Sequence, residues 1–283
     1  MINANQIYEE DCLTFMEKLS SQNTFLDVIV TSPPYNINKE YRTYDDNKKK
    51  DDYFAWLEEV GKKLNLHLKT MDLFFWTYLA DPRTQHYRLT WPQGSPKNVD
   101  FNLQNTIHWI KSVSVDPEDI GRNNGFHNSD DMSIGHFKPL VSDRYLSDLH
   151  EYIFHFTKNG NVKWEKLKIG LTYQDKTNIG RWKTAIRDRR DRGNVWFIPY
   201  PTVQEARPHP AVFPVKLSER CIQLHGIKKN MLVYDPFIGI GTTALACIHL
   251  KANYIGTEID SQYIGVPKQR ISDYLQTNFS KWG

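Results

Sequence analysis

The sequence predicts an α/β fold with a mostly parallel sheet covered by helices on both faces. Two patterns and one size argument predict it. From 215 to 277 the hydrophobic pattern reads helix, strand, helix, strand, helix, with MLVYD at 231–235 and ANYIGTEID at 252–260 holding the strands. Strand–helix alternation calls for parallel strands joined by crossover helices. In the first half, LDVIVT at 26–31 and DLFFWTYL at 72–79 are short unbroken apolar runs. Such runs suit strands buried on both faces. At 283 residues, 40% of them hydrophobic, the chain can bury most of its unfolded surface without a disulfide scaffold.

The elements follow in order. Residues 11–20 read as a helix before the strand at 26–31, which Pro33 and Pro34 end. Residues 51–69 carry apolar groups at helical spacing, with Asp51 and Asp52 at the end where the helix dipole favours them. The strand at 72–79 comes next, then 80–100, which has three prolines and no period and reads as loop. TIHWI at 106–110 reads as a strand. Residues 112–145 are polar, carry Gly121, Gly125 and Gly135, and read as a long mobile loop. HEYIFHF at 150–156 returns to strand. Helices are expected at 215–226, 242–251 and 261–277. The domain reading is a main domain from 1–111 and 201–283, a loop with its returning strand at 112–157, and an insert at 158–200.

Composition narrows the function. No stretch of 18 apolar residues suggests a membrane-spanning helix. The N-terminus MINANQIYEEDC lacks the basic and apolar regions of a signal peptide. Three cysteines (Cys12, Cys221, Cys247) without a close pair argue against a disulfide framework and a cysteine zinc site. The expected location is the reducing cytoplasm. The net charge of +3 is uneven. Residues 158–192 hold 11 Lys/Arg and 4 Asp/Glu, a local +7, so the other 248 residues carry −4. A charge run alone fits a solvated surface equally well. Here Trp164, Tyr173, Trp182 and Trp196 lie in or beside it, and bases stack on aromatics while phosphates meet Lys and Arg. Lys183, Arg187, Arg189, Arg190 and Arg192 are therefore the candidate nucleic-acid contacts.

Asp235-Pro236-Phe237-Ile238-Gly239-Ile240-Gly241-Thr242-Thr243 lies between a buried strand and a helix. Glycines one residue apart allow a tight turn and a close ligand approach. With Ala244 in the third place the loop fits only the looser dinucleotide fingerprint, so a nicotinamide or flavin stays compatible with it. No Gly-Lys-Ser/Thr follows, so it is not a phosphate-binding P-loop. Glu258, 17 residues past Gly241, ends the next strand, where an acid can accept from both ribose hydroxyls. Read alone, Glu258 also suits a helix-capping carboxylate.

Thr31-Ser32-Pro33-Pro34-Tyr35 follows a buried strand and so belongs at the carboxyl edge of the sheet, where open α/β sheets bind ligands. The prolines stiffen the loop and hold neighbouring carbonyls in place as acceptors. With the Ser32 hydroxyl and the Tyr35 ring, this makes a polar pocket with a stacking wall. It suits a flat ring bearing an exocyclic amine.

These residues resemble the DNA amino-methyltransferases, in the β-class order where the catalytic motif precedes the cofactor motif. The resemblance is carried by Glu10-Asp11-Cys12, Thr31 to Tyr35, HPAVFPVKL at 209–217, Asp235 to Thr243 and Gly256-Thr-Glu-Ile-Asp260. It implies S-adenosylmethionine as cofactor. It also implies a Rossmann-like sheet of seven strands, one antiparallel, with circularly rearranged motifs and adjacent chain ends. It places the methionine part near Asp235, Pro236, Phe237, Gly239, Gly241, Thr242 and Thr243, with Phe213 and Pro214 lining that side. It places the ribose on Glu258 beside Ile259, and the adenine near Asp11 and Cys12, with Thr31 joining this set. Ser32, Pro33, Pro34 and Tyr35 become the catalytic loop, and 158–200 falls at the target-recognition region. Serine before the prolines points to cytosine N4 in duplex DNA, with adenine N6 as the alternative. No cysteine follows a proline, which sets aside methylation at cytosine carbon 5. Rivals are an RNA or protein-amide substrate and a non-catalytic binder with the same fold. Expected partners are duplex DNA and a restriction endonuclease acting on the same site, with the protein a monomer or homodimer. No metal is expected: His209 between two prolines has no second ligand at metal spacing.

Overall fold

The computed structural model describes residues 1–78, 101–116, 131–136, 141–179, 188–199 and 212–279. The loop read at 80–100, Trp182, Lys183, Arg187 and the start of the HPAVFP motif lie outside the described residues. Strands β1 (Gln6–Glu9), β2 (Leu26–Thr31), β3 (Leu68–Tyr78), β4 (Asn102–Ile110), β7 (His150–Thr157), β8 (Val195–Phe197), β9 (Leu232–Asp235) and β10 (Asn253–Glu258) form one sheet, ordered β1-β10-β9-β2-β3-β7-β4-β8. Strand β7 runs antiparallel to both neighbours, β3 and β4, and every other pairing is parallel. Among the described residues the sheet therefore has the single antiparallel strand expected, and eight strands where seven were expected. The additional strand is β8, at the end of the segment read as an insert. Strands β5 (Ser112–Val115) and β6 (Met132–Gly135) pair antiparallel in a small second sheet, within a stretch read as loop alone.

Strand β2 is the spine. All six residues of LDVIVT are buried, as a central strand with helices on both faces requires. Val28 and Val30 join Val233 in a core under α3 (Val215–His225) and α4 (Thr242–Leu250). Ile29, Tyr234 and Ile255 face the other way, onto α1 (Cys12–Ser21) and α2 (Lys50–His67). The buried Asp27 of β2 braces the amino edge by accepting from Lys69 Nζ and from the Leu232 amide at 2.9 Å.

Strand β1 is the outer partner of β10 in parallel register, Glu9 beside Glu258. This puts the start of α1 next to the end of β10 and brings the first and last motifs together across nearly the whole chain. The last helix, α5 (Ser261–Phe279), packs over β1, β10 and α4.

Candidate active site

The motifs meet at the carboxyl ends of β1, β10, β9 and β2. Asp235, 1% exposed, is their central brace. Its Oδ1 accepts from Thr31 Oγ1 at 2.7 Å and from the Phe237 amide at 3.0 Å, and its Oδ2 accepts from Thr243 Oγ1 at 2.6 Å. Burial pushes its carboxyl up to about 6, against the pull of these donors. Asp235, Thr31 and Thr243 thus bind one another beneath the site, and lock the end of β2 to the glycine loop and α4. Pro236 lies in the same buried layer, where its carbonyl accepts from Thr257 Oγ1 at 2.9 Å.

Glycine is required at 241 for a reason the sequence did not reveal. Gly241 has φ +79°, and a Cβ there would lie 2.5 Å from Pro267 Cβ of α5. The loop's second glycine lets the last helix pack down. Gly239, also at positive φ, donates its amide to Glu258 Oε2 at 3.0 Å. Glu258 Oε1 accepts from the Asp260 amide at 2.9 Å, and burial raises this carboxyl. The Glu10 amide reaches the Glu258 carbonyl at 3.0 Å. Asp11 caps α1 by accepting from Leu13 and Thr14, which leaves Cys12 buried at the first turn with its thiol pushed up by burial. Such a thiol is not a nucleophile at neutral pH. Phe237 packs on Trp56 of α2, their ring centroids 5.5 Å apart, while Ile259 is half exposed. Thr242 is buried at the start of α4. Phe213 is half-buried against the core under α3, and Pro214 caps that helix.

The Thr31–Tyr35 loop leaves β2 at the same edge. Ser32 Oγ lies 2.9 Å from Tyr35 Oη. Tyr53 of α2 donates to the Pro34 carbonyl at 2.7 Å, while Pro33 is buried beneath. The following turn is built on Asp46, 2% exposed, which accepts from the amides of Asn36, Ile37 and Lys39. It brings Tyr41 and Tyr44 over the site. Burial, with the carboxylates of Asp46 and Glu258, pushes the Tyr41 phenol up, and the Tyr44 ring lies 5.5 Å from Trp56. Tyr53, Asp46, Tyr41, Tyr44 and Glu151 were not among the sequence candidates. Helical spacing marked Tyr53 and Trp56 only as a core face.

Among the buried side-chain atoms that lack hydrogen-bond partners within the described residues are Tyr44 Oη and Asp260 Oδ2. Both lie close to the Glu258–Cys12 corner, one beside Glu258 in sequence and the other near enough for the Asp46 carboxylate to act on its phenol. An unpaired carboxylate oxygen and an unpaired hydroxyl in one corner suit a ligand with hydroxyl donors and a polar ring, as a nucleoside has.

The basic segment is placed less simply. Trp196, expected as a stacking surface, is 1% exposed and belongs to the core, with its Nε1 on the Gly193 carbonyl at 3.0 Å. As the middle residue of an edge strand it faces inward by the strand's alternation. Trp164 packs against the same core, its ring 4.3 Å from His155. Arg189 Nη2 and Arg192 Nε hold the carbonyls of Gly170 and Ile169 at 2.9 and 2.8 Å. Arg190 is exposed, and its backbone bridges to Leu171. No group of metal-ligating side chains occurs among the described residues, and no described helix is long and apolar enough to cross a membrane.

Comparison with known proteins agrees with this geometry. The chain is 27% identical to "Type II methyltransferase M.BglII" of Bacillus subtilis, over 95% of this chain and 69% of that protein. Its fold matches "PvuII DNA methyltransferase (cytosine-N4-specific)" with TM-score 0.62 and 18% identity, over 95% of this chain and 86% of the other. It also matches the "M1.HpyAVI-SAM complex" with TM-score 0.54 and 21% identity, over 94% and 98%. The sequence model of the DNA methylase family spans residues 26–269, from the strand before the Ser32 loop into the last helix. With both motif loops inside that span and joined at one sheet edge, the chain belongs to the DNA methylase family of N6 and N4 methyltransferases.

Proposed function

We propose that the protein methylates the exocyclic N4 amine of cytosine in duplex DNA, using S-adenosylmethionine. The observation that carries the reading is the brace from Thr31 to Asp235, which fixes an amine-accepting loop beside a nucleoside-binding corner. When bound, the cofactor supplies a methyl group on a sulfonium. Glu258 would hold its ribose, the turn at Asp11 and Cys12 its adenine, and Phe237 and Gly239 the methionine side. Tyr44 and Asp260 would gain partners there.

An amine paired within a duplex is hidden, so the base must leave the stack at a cost of a few kcal/mol. The Tyr35 ring would hold the extruded base. Ser32 Oγ and the Pro33 carbonyl would accept from its amine and turn the nitrogen lone pair toward the methyl carbon. Positioning is then the main contribution of the loop. Cys12 stays out of the reaction, so no covalent base adduct forms. The named relative, a type II methyltransferase, supports a role beside a restriction endonuclease that cuts the same site.

The test is methyl transfer from the labelled cofactor to duplex DNA, RNA and protein in turn, followed by mass spectrometry of digested DNA. N4-methylcytosine is the expected product. N6-methyladenine would overturn the role given to Ser32 and keep the pocket. Tyr35→Ala should lose about 1–3 kcal/mol of stacking, which by itself slows turnover by one to two decades, with cofactor affinity unchanged.

A further inference from the structure

We propose that Glu151 is a positioning residue for the target amine, acting through Tyr35 and Ser32 as the far end of a hydrogen-bond chain. The proposal rests on the reading of the Ser32–Tyr35 pocket given above. Glu151 is the second residue of β7, and β7 is antiparallel. Its first residues therefore reach the edge where β2 ends. Glu151 Oε2 lies 3.5 Å from Tyr35 Oη, and Tyr35 Oη lies 2.9 Å from Ser32 Oγ. Lys111, just past β4, holds the other oxygen, Oε1, at 3.2 Å. Both side chains of this ion pair are largely buried, at 13% and 14% exposed.

The chain has one consistent direction. An ionised carboxylate only accepts, so Tyr35 donates to Glu151. The Tyr35 oxygen is then left to accept from the Ser32 hydroxyl. The Ser32 oxygen, its proton turned away, faces the pocket as an acceptor for the amine. Reverse the chain and Ser32 would offer its proton to the amine nitrogen and block the attacking lone pair. Glu151 therefore sets which end of Ser32 the base meets. The 3.5 Å link is long, as such contacts often are before substrate binds and tightens them. Tyr53, by holding the Pro34 carbonyl, keeps the loop in register for this closure.

The chain also gives the proton a path. As the N–CH3 bond forms, the methyl–sulfur bond breaks and its electron pair stays on sulfur as a neutral thioether. The nitrogen is left with one proton too many. That proton passes to Ser32 Oγ as the Ser32 proton passes to Tyr35 Oη and the Tyr35 proton to Glu151 Oε2. Glu151 ends neutral and later returns the proton to solvent. Lys111 Nζ, 3.2 Å from Oε1, holds the carboxylate in place for the step.

Single-turnover methylation at saturating cofactor and DNA tests the chain across a pH series. Glu151→Gln should slow transfer on the order of 10²-fold and abolish the acidic limb of the rate profile. Tyr35→Phe keeps the ring and the ion pair but cuts the chain, so it should slow transfer similarly. The double variant should be no slower than either single one. Lys111→Met should move the acidic limb to higher pH. Calorimetry should find cofactor and DNA affinities unchanged in Glu151→Gln and Tyr35→Phe. Wild-type protein that transfers no methyl group to DNA overturns the pocket reading and the chain together. An active wild type, with Glu151→Gln and Tyr35→Phe enzymes of equal rate and unchanged profile, overturns the chain alone.

Discussion

Asp235 and Gly241 do their work one layer below the position that their motif suggests. Asp235 has both oxygens engaged by Thr31, Thr243 and the Phe237 amide, so it sets loop shape. Gly241 is required by its positive φ and by Pro267. Gly241→Ala should therefore cost about 1–3 kcal/mol of folding stability through overpacking, read by denaturant titration. Unchanged stability would show that α5 yields at that contact. Glu258→Ala should weaken cofactor binding, read by calorimetry, and also cost stability, because the Gly239 and Asp260 amides lose their acceptor. Asp235, Glu258 and Ser32 were legible in the sequence because each lies at a fixed offset from a strand end. Glu151 was not, because its role depends on a contact across 116 residues and strand periodicity says nothing of that. Tyr53 and Asp46 were missed for the same reason.

At the scale of elements, the long apolar strands and the helices at both ends of the chain were legible, since burial on both faces or at helical spacing leaves a plain pattern. Strand β8 was not: three residues carry no period, and its place follows from pairing with His108–Ile110. Buried groups give the fold a pH dependence as well. Burial pushes His155 of β7 down to about 3 and His225, at the end of α3, down to about 4. In the unfolded chain both take a proton near pH 6.5. Asp235 opposes them, raised in the folded state to about 6. Between pH 6 and 4 the unfolded chain holds two protons on the histidines and the folded chain holds one on Asp235. Stability then falls with falling pH by about 1.4 kcal/mol per unit. His67, lowered, and Glu258, raised, add one contribution of each sign. His225→Gln removes one unfolded-state proton and should flatten the thermal midpoint over this range. A midpoint that still falls as steeply would place the proton uptake elsewhere.

Over the whole molecule, the charge is divided between a basic segment at 158–192 and a mildly acidic remainder. The fold uses part of that basic charge internally. Lys176 pairs with Asp188, Lys166 lies 3.6 Å from Asp191, and Arg189 and Arg192 hold backbone carbonyls. Each of these cations stiffens the segment, and stiffening comes at the expense of freedom to meet a phosphate. Arg190 is exposed and has no side-chain hydrogen bond or ion pair among the described residues. Phosphate contacts release counterions, so each one steepens the fall of affinity with salt by about 0.9 in log–log slope. Arg190→Ala should therefore lower affinity for all duplexes alike and flatten that slope by about one contact. Arg192→Ala should act differently, with a lower unfolding midpoint from the freed Ile169 carbonyl and little change in slope. Fluorescence anisotropy across a salt series, with thermal denaturation of the same variants, separates the two. An Arg190→Ala protein with the wild-type slope would take this arginine off the DNA surface and leave the recognition of DNA to other parts of the carboxyl edge.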